Sequence, residues 1–204
     1  MGWKLQLLNW WMPSYLIRRE LANVSEQTTG ALNALLTKYN TQEAETYLKK
    51  PSSRSIQEIR ANMAQTQAEQ VERLEGIVGH EKAVKLGREA MFLAGKQLGE
   101  QTRIKLGVSD NPKDLIKAAK ILYRILGIDF HLEWQNSVNA TAIITRCPLA
   151  EQYSKLTCEV LSAIDEGVIA GLQPNVSMHF QEYMTSGCEN CRAIIQFNEK
   201  ENLI

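Results

Sequence analysis

Four cysteines carry the chemistry-bearing pattern of this chain: Cys147, Cys158 and the pair Cys188 and Cys191, which enclose Glu189 and Asn190. A Cys-x-x-Cys pair at a chain reversal points two sulfurs the same way, toward a single centre. Zinc or iron there would require two further ligands. Cys147 and Cys158 can supply them, and Asp165, His179, Glu182 and Glu189 are alternatives. The same thiols can instead serve as nucleophiles or as a redox group, or pack as small apolar side chains. Spacing alone leaves all three roles open.

Other polar residues are less informative. His131 and His179 alternate with apolar neighbours on two extended runs, and His80 follows a glycine in an expected loop. Histidine can act as a base near neutral pH, but outward-facing strand histidines are also common. Asp165 and Glu166 are adjacent within a helical segment and therefore point in different directions. They do not form a general acid/base pair by spacing, and helix-surface charge is the default expectation.

The elements that must position these residues follow from periodicity. Leu16, Leu21, Val24, Leu32, Leu35 and Leu36 predict an amphipathic helix over 14–39 with Gly30 as a weak point. Thr41 to Lys49 reads as a short helix, ended by a hinge at Pro51-Ser52-Ser53. From Ser55 to Val71 the chain predicts an exposed helix with a narrow buried stripe, because large apolar residues are few. Glu81 to Leu106 is a stronger helix. Its Ala83, Gly87, Ala90, Ala94 and Gly95 allow a neighbouring backbone to approach closely. Asn111 or Asp110, Pro112 and Asp114 mark the start of a helix that stops near Gly127.

The period then changes from about 3.6 to 2. Phe130, Leu132 and Trp134 alternate with polar residues, Gln135-Asn136-Ser137 turns the chain, and a second strand covers 138–146. A helix is expected over 149–172, perturbed near Thr157, and two further strands carry Val176, Met178 and Phe180, then Ala193, Ile195 and Phe197. The fold class is α+β: a helical amino-terminal half, then a small antiparallel sheet of about four strands packed with helices. The expected organisation is a helical extension over 1–75 and a cysteine-containing α+β domain over 76–204.

Composition bounds the function. At 204 residues, 44% hydrophobic and 23% charged, the chain can bury a core. Lysine plus arginine balances aspartate plus glutamate at 23 each, so no field of one sign attracts a nucleic acid. The amino terminus carries Trp3, Trp10 and Trp11, but Lys4, Asn9, Pro13, Arg18 and Arg19 interrupt its apolar run. It fits neither a membrane span nor a cleaved signal. Its tryptophans are expected to pack on the domain or on a partner, a homodimer mate included, with membrane-surface contact as the alternative. A cytoplasmic, reducing location is the expectation, with thiols or metal ligands rather than disulfides.

The carboxy-terminal half resembles a known family. The strings Arg146-Cys147-Pro148-Leu149-Ala150-Glu151, Cys158-Glu159, Asp165-Glu166-Gly167, Gly171-Leu172-Gln173-Pro174 and Gly187-Cys188-Glu189-Asn190-Cys191-Arg192 are similar to those of the L-2-amino-thiazoline-4-carboxylic acid hydrolase-like family. The helix 81–100 and the stretch Tyr15 to Glu20 fit the same pattern. More distantly, the cysteines resemble those of vinyl-reductase-type small-molecule-binding domains, which share a fold with TRAPP subunits and aromatic-compound sensors.

The resemblance to the hydrolases implies opening of a cyclic amidine ring by water, at the carbon between nitrogen and sulfur. Catalytic candidates are then Cys147, Cys158 and Asp165, with Arg146 or Arg192 holding a substrate carboxylate. The resemblance to the sensors implies a structural zinc site near Cys147, Glu182 and Cys191, with iron as the other metal these ligands suit. Where the sensors carry one more cysteine, however, this chain has Tyr183, and Cys188 is additional. Two alternatives to an enzyme stand beside it: a non-catalytic domain holding a hydrophobic or tetrapyrrole ligand, and a partner subunit.

Overall fold

The computed structural model describes residues 3–39 and 55–198. The expected short helix over 41–49 and the hinge at 51–53 lie outside the described residues. Among these residues six α-helices and four strands follow in the order α1 (Trp3–Trp10), α2 (Ser14–Tyr39), α3 (Ile56–Val78), α4 (His80–Leu106), α5 (Pro112–Leu126), β1 (Asp129–Trp134), β2 (Asn139–Arg146), α6 (Lys155–Leu172), β3 (Val176–Glu182) and β4 (Cys191–Phe197), with a short 3-10 turn at Met184–Ser186. This is the α+β arrangement the periodicity predicts. The strands form one antiparallel sheet in the order β1-β2-β4-β3.

Local chemistry sets the boundaries. Ser55 caps α3 and forms a reciprocal capping box with Glu58. Only Gly79, at φ +80°, separates α3 from α4, so His80 opens a helix instead of sitting in a loop, and its Nδ1 lies 2.7 Å from Glu75. Asn111 caps α5 with Pro112 in its first turn, and Gly127, at φ +77°, ends it. Helix α6 starts later than its apolar pattern suggests. Residues 148–152 form turns, and Ser154 caps the helix by accepting from the Thr157 backbone N–H.

The alternation in β3 and β4 buries Val176, Met178, Phe180, Cys191, Ala193 and Ile195 on one side. These join Leu115, Ala118, Ile121 and Ile125 of α5 and Ile169 and Leu172 of α6 in the main core. Leu5, Leu21, Met63 and Ala64 belong to the same cluster, so it draws on helices before and after residue 75. Helix α3 buries two glutamines besides its apolar stripe: Gln67 donates to Thr28 Oγ1 and accepts from the Tyr153 hydroxyl, and Gln70 donates to Asn33 and the Thr29 carbonyl. Helix α1 docks through Leu5, with Leu8 and Met12 packed against the core. Trp10 at its end is 84% exposed, and Trp11, just beyond it, 59%.

Helices α4 and α6 touch through backbone. Gly95 faces the carbonyl of Ile164, Gly99 that of Val168, Gly167 that of Phe92 and Gly171 that of Lys96, each with no room for a Cβ. Close helix packing is thus the role of the small residues along α4. Among the described residues no helix is long and apolar enough to cross a membrane.

Candidate active site

A cleft of about 660 Å³ of empty space, part of it open to solvent, lies between the helices and the buried side of the sheet. Helix α5 contributes Ala119, Leu122, Tyr123 and Leu126, and α6 contributes Ile164, Asp165, Val168 and Ile169. Val24 and Leu98 close it from α2 and α4, and the four strands add Phe130, Ala142, Met178 and Ile195. Among these described lining residues, only Tyr123 and Asp165 have polar side chains.

Asp165 is held by hydrogen bonding to Tyr123. The Tyr123 ring is fixed in turn by an edge-to-face contact with Phe130, centroids 4.8 Å apart. Burial pushes the Asp165 carboxyl up to about 7, and the neighbouring Glu166 charge adds to the effect, while the bond to Tyr123 opposes it. Burial also raises the Tyr123 hydroxyl well above its ordinary range, so it stays protonated and donates. A carboxyl that exchanges its proton near neutrality, set in an apolar cleft, is suited to proton transfer.

Glu166, one residue on, faces a different set of groups. It is 8% exposed and accepts two hydrogen bonds from the Arg88 guanidinium, at 2.8 and 2.9 Å. His179 Nδ1 lies 3.3 Å away. Arg88 also donates to the Glu159 carbonyl and Ser162 Oγ, and Ser162 lies 3.2 Å from the Tyr183 hydroxyl. Neither carboxylate is the surface charge expected of adjacent acidic residues on a helix.

All four cysteines are free. Cys147, Cys158 and Cys191 lie within electrostatic reach of one another and of Asp165. Burial pushes the Cys147 thiol up to about 11, although backbone N–H groups of Ala150 and Leu149 favour its thiolate. Cys158 is pushed up to about 12, again by burial. Cys191 is raised by burial too, while its sulfur accepts the Met184 N–H at 3.3 Å. Cys188 is half-buried at the turn before β4. Among the described residues no three of His, Cys, Asp or Glu come together in a group that could hold a metal ion. The set implied by the sensor resemblance, Cys147, Glu182 and Cys191, forms no such group.

The two arginines lie elsewhere. Arg146 pairs with Asp129 at 3.3 Å and Arg192 with Glu182 at 3.3 Å, both on the surface, and neither lines the cleft. Of the residues singled out from sequence, the structure brings together Asp165, Cys147, Cys158 and Cys191. Tyr123 and the cleft itself were not legible in the cysteine pattern. The available signal was the stretch 160–172 of α6, in which Asp165 and Glu166 are the only charged residues, since charges within so apolar a run lie against the core.

Residues 57–195 match the family model described as L-2-amino-thiazoline-4-carboxylic acid hydrolase. No curated protein matches the chain. Among solved structures, a trafficking protein particle complex subunit 3 from Naegleria fowleri, covalently bound to palmitic acid, is similar at 14% identity and a TM-score of 0.53. That match covers 69% of this chain and 95% of that one. The phenol-responsive sensory domain of the transcription activator PoxR, with phenol, aligns at 13% identity and a TM-score of 0.48, covering 82% of this chain and 89% of that one. The first likeness is one of fold.

Proposed function

The chain belongs to the L-2-amino-thiazoline-4-carboxylic acid hydrolase family, and we propose on that premise that it hydrolyses a small cyclic amidine of the thiazoline type, with Asp165 as its acid–base group. The observation that carries this reading is the Asp165 carboxyl, pushed up to about 7 and hydrogen-bonded to Tyr123 on an apolar cleft.

In such a hydrolysis, water adds to the ring carbon between nitrogen and sulfur. The carboxylate form of Asp165 takes the water proton as the new C–O bond forms and the C=N electron pair moves to nitrogen. The resulting carboxylic acid then returns a proton to sulfur as the nitrogen pair re-forms C=N and the C–S bond breaks with its electron pair, leaving a free thiol and an isourea that becomes the urea when its O–H proton moves to nitrogen. A group titrating near the working pH can do both halves. Cys147 and Cys158, held as thiols by burial, are poorly suited to act as thiolate nucleophiles. The reading therefore moves the chemistry from the sulfurs to the carboxyl beside them.

The largely apolar lining favours a second reading, a domain that binds a small molecule without transforming it. Thiol release from 2-aminothiazoline-4-carboxylate and from carboxyl-free 2-aminothiazoline separates the two. The hydrolase reading expects turnover that falls about 100-fold or more in kcat in Asp165→Asn. Absence of turnover of either compound by the full chain leaves the binding reading, and wild-type kcat in the variant removes Asp165 from the chemistry.

A further inference from the structure

The cleft and the nominal substrate of the family differ in chemistry. A thiazoline carboxylate is small, polar and anionic at one end. The cleft is apolar over nearly all of its described lining. Among its described lining residues the one carboxyl is Asp165. Among the described residues no arginine or lysine lines it to meet a carboxylate. The nearby cation, Arg88, is occupied by both oxygens of Glu166, by Ser162 and by the Glu159 carbonyl. Arg146 and Arg192 are engaged on the surface. Charge around the cleft is thus acidic and uncompensated at one point, and hydrocarbon elsewhere.

We propose that the ligand of this cleft is an amphiphilic cation: an amidinium or ammonium head seated on Asp165 and Tyr123, with a hydrocarbon body lying against Leu122, Leu126, Val168 and Met178. This inference rests on the cleft being the functional site proposed above and names its substrate class. A planar amidinium offers two parallel N–H donors to a carboxylate, the geometry that makes such pairs strong. Against so apolar a wall the pair is screened less than in bulk water, and a cation in contact favours the ionised form of Asp165. An anionic head of the same size meets the repulsion of the Asp165 carboxylate there. The hydrocarbon body accounts for the apolar walls: each methylene moved out of water is worth about 0.8 kcal/mol, or up to roughly fourfold in affinity.

Calorimetric titration of the full chain with octanamidine, butanamidine, octanamide and octanoate at pH 8 tests it. Octanamidine is expected to bind at least about tenfold more tightly than octanoate or octanamide, and more tightly than butanamidine. Asp165→Asn, close to isosteric, should abolish the preference for the cation over the neutral amide while keeping the dependence on chain length. Ala119→Trp, which fills the cleft and leaves the carboxyl in place, should weaken all the eight-carbon probes. Octanoate binding as tightly as octanamidine, no binding of octanamidine, or an unchanged preference in Asp165→Asn would each overturn the inference. Cation-selective binding without turnover of any aminothiazoline removes the hydrolase reading and leaves this one intact. Turnover by a protein that prefers octanoate does the reverse.

Discussion

Gly95 of α4 lies directly against the backbone carbonyl of Ile164, the residue that precedes Asp165, with no space for a Cβ between them. The turn of α6 that carries the candidate acid is therefore set by contact with the α4 backbone. Gly95→Ala must push the helices apart, and the expected cost is about 1–3 kcal/mol despite the better helix propensity of alanine. Gly30, in the middle of α2, has nothing within 4 Å of an added Cβ. Gly30→Ala should instead stabilise by about 0.5–1 kcal/mol. Urea unfolding of both variants checks the contrast, and the opposite ranking would contradict the packing described.

The raised Asp165 carboxyl predicts a dependence of stability on pH. Below pH about 3 the carboxyl is protonated in folded and unfolded chains alike. As pH rises toward 7, the unfolded chain releases this proton while the folded chain, with its value near 7, retains it. Stability therefore falls across that window and levels off above it, by an amount on the order of a few kcal/mol. Asp165→Asn lacks this loss. Its unfolding free energy should gain on that of the native sequence between pH 5 and pH 8.5, and a constant offset would show that the carboxyl titrates normally.

Arg88 and Glu166 form a partly buried bidentate pair, with the arginine tied also to Ser162 and to the Glu159 carbonyl. Removing one member strands the other. Arg88→Met should cost about 3 kcal/mol at neutral pH, and Arg88→Met with Glu166→Gln should recover part of it. A double-mutant cycle measures the coupling. Strictly additive losses would mean that the pair contributes only through packing.

Burial of Cys147 and Cys158 is open to direct chemical test. With thiols pushed to about 11 and about 12, the thiolate fraction at pH 7.5 is very small. Alkylation of both by iodoacetamide should run about two orders of magnitude slower in the folded chain than in urea. Mass spectrometry of the peptides reads the rates. Fast labelling of either cysteine under native conditions would restore it as a candidate nucleophile.

The strands, the caps of α5 and the close-packing glycines of α4 were legible because each is a local signal. Alternation of Phe130, Leu132 and Trp134 needs no knowledge of what lies above the sheet, and Asn111-Pro112 starts a helix wherever it occurs. The candidate site was only half legible. Asp165 was singled out through a motif, yet its burial depends on α6 being enclosed by α4, α3 and the sheet, a property of the assembled fold. Tyr123 looks like any aromatic on the face of α5 until the turn at Gly127 brings β1 back and sets Phe130 against it. The start of α6 was misplaced because Pro148, Leu149 and Ala150 suit a helix, whereas the cap at Ser154 is what sets its first turn.

The contact between α4 and α6 also divides the cleft mechanically. Where two backbones meet with no side chain between them, no rotamer change can open a gap, so those two helices form a fixed floor. Leu122, Leu126 and Met178 stand on the other walls and retain rotatable bonds. Ligands of different girth would be accommodated on that side, while the carboxyl keeps its place.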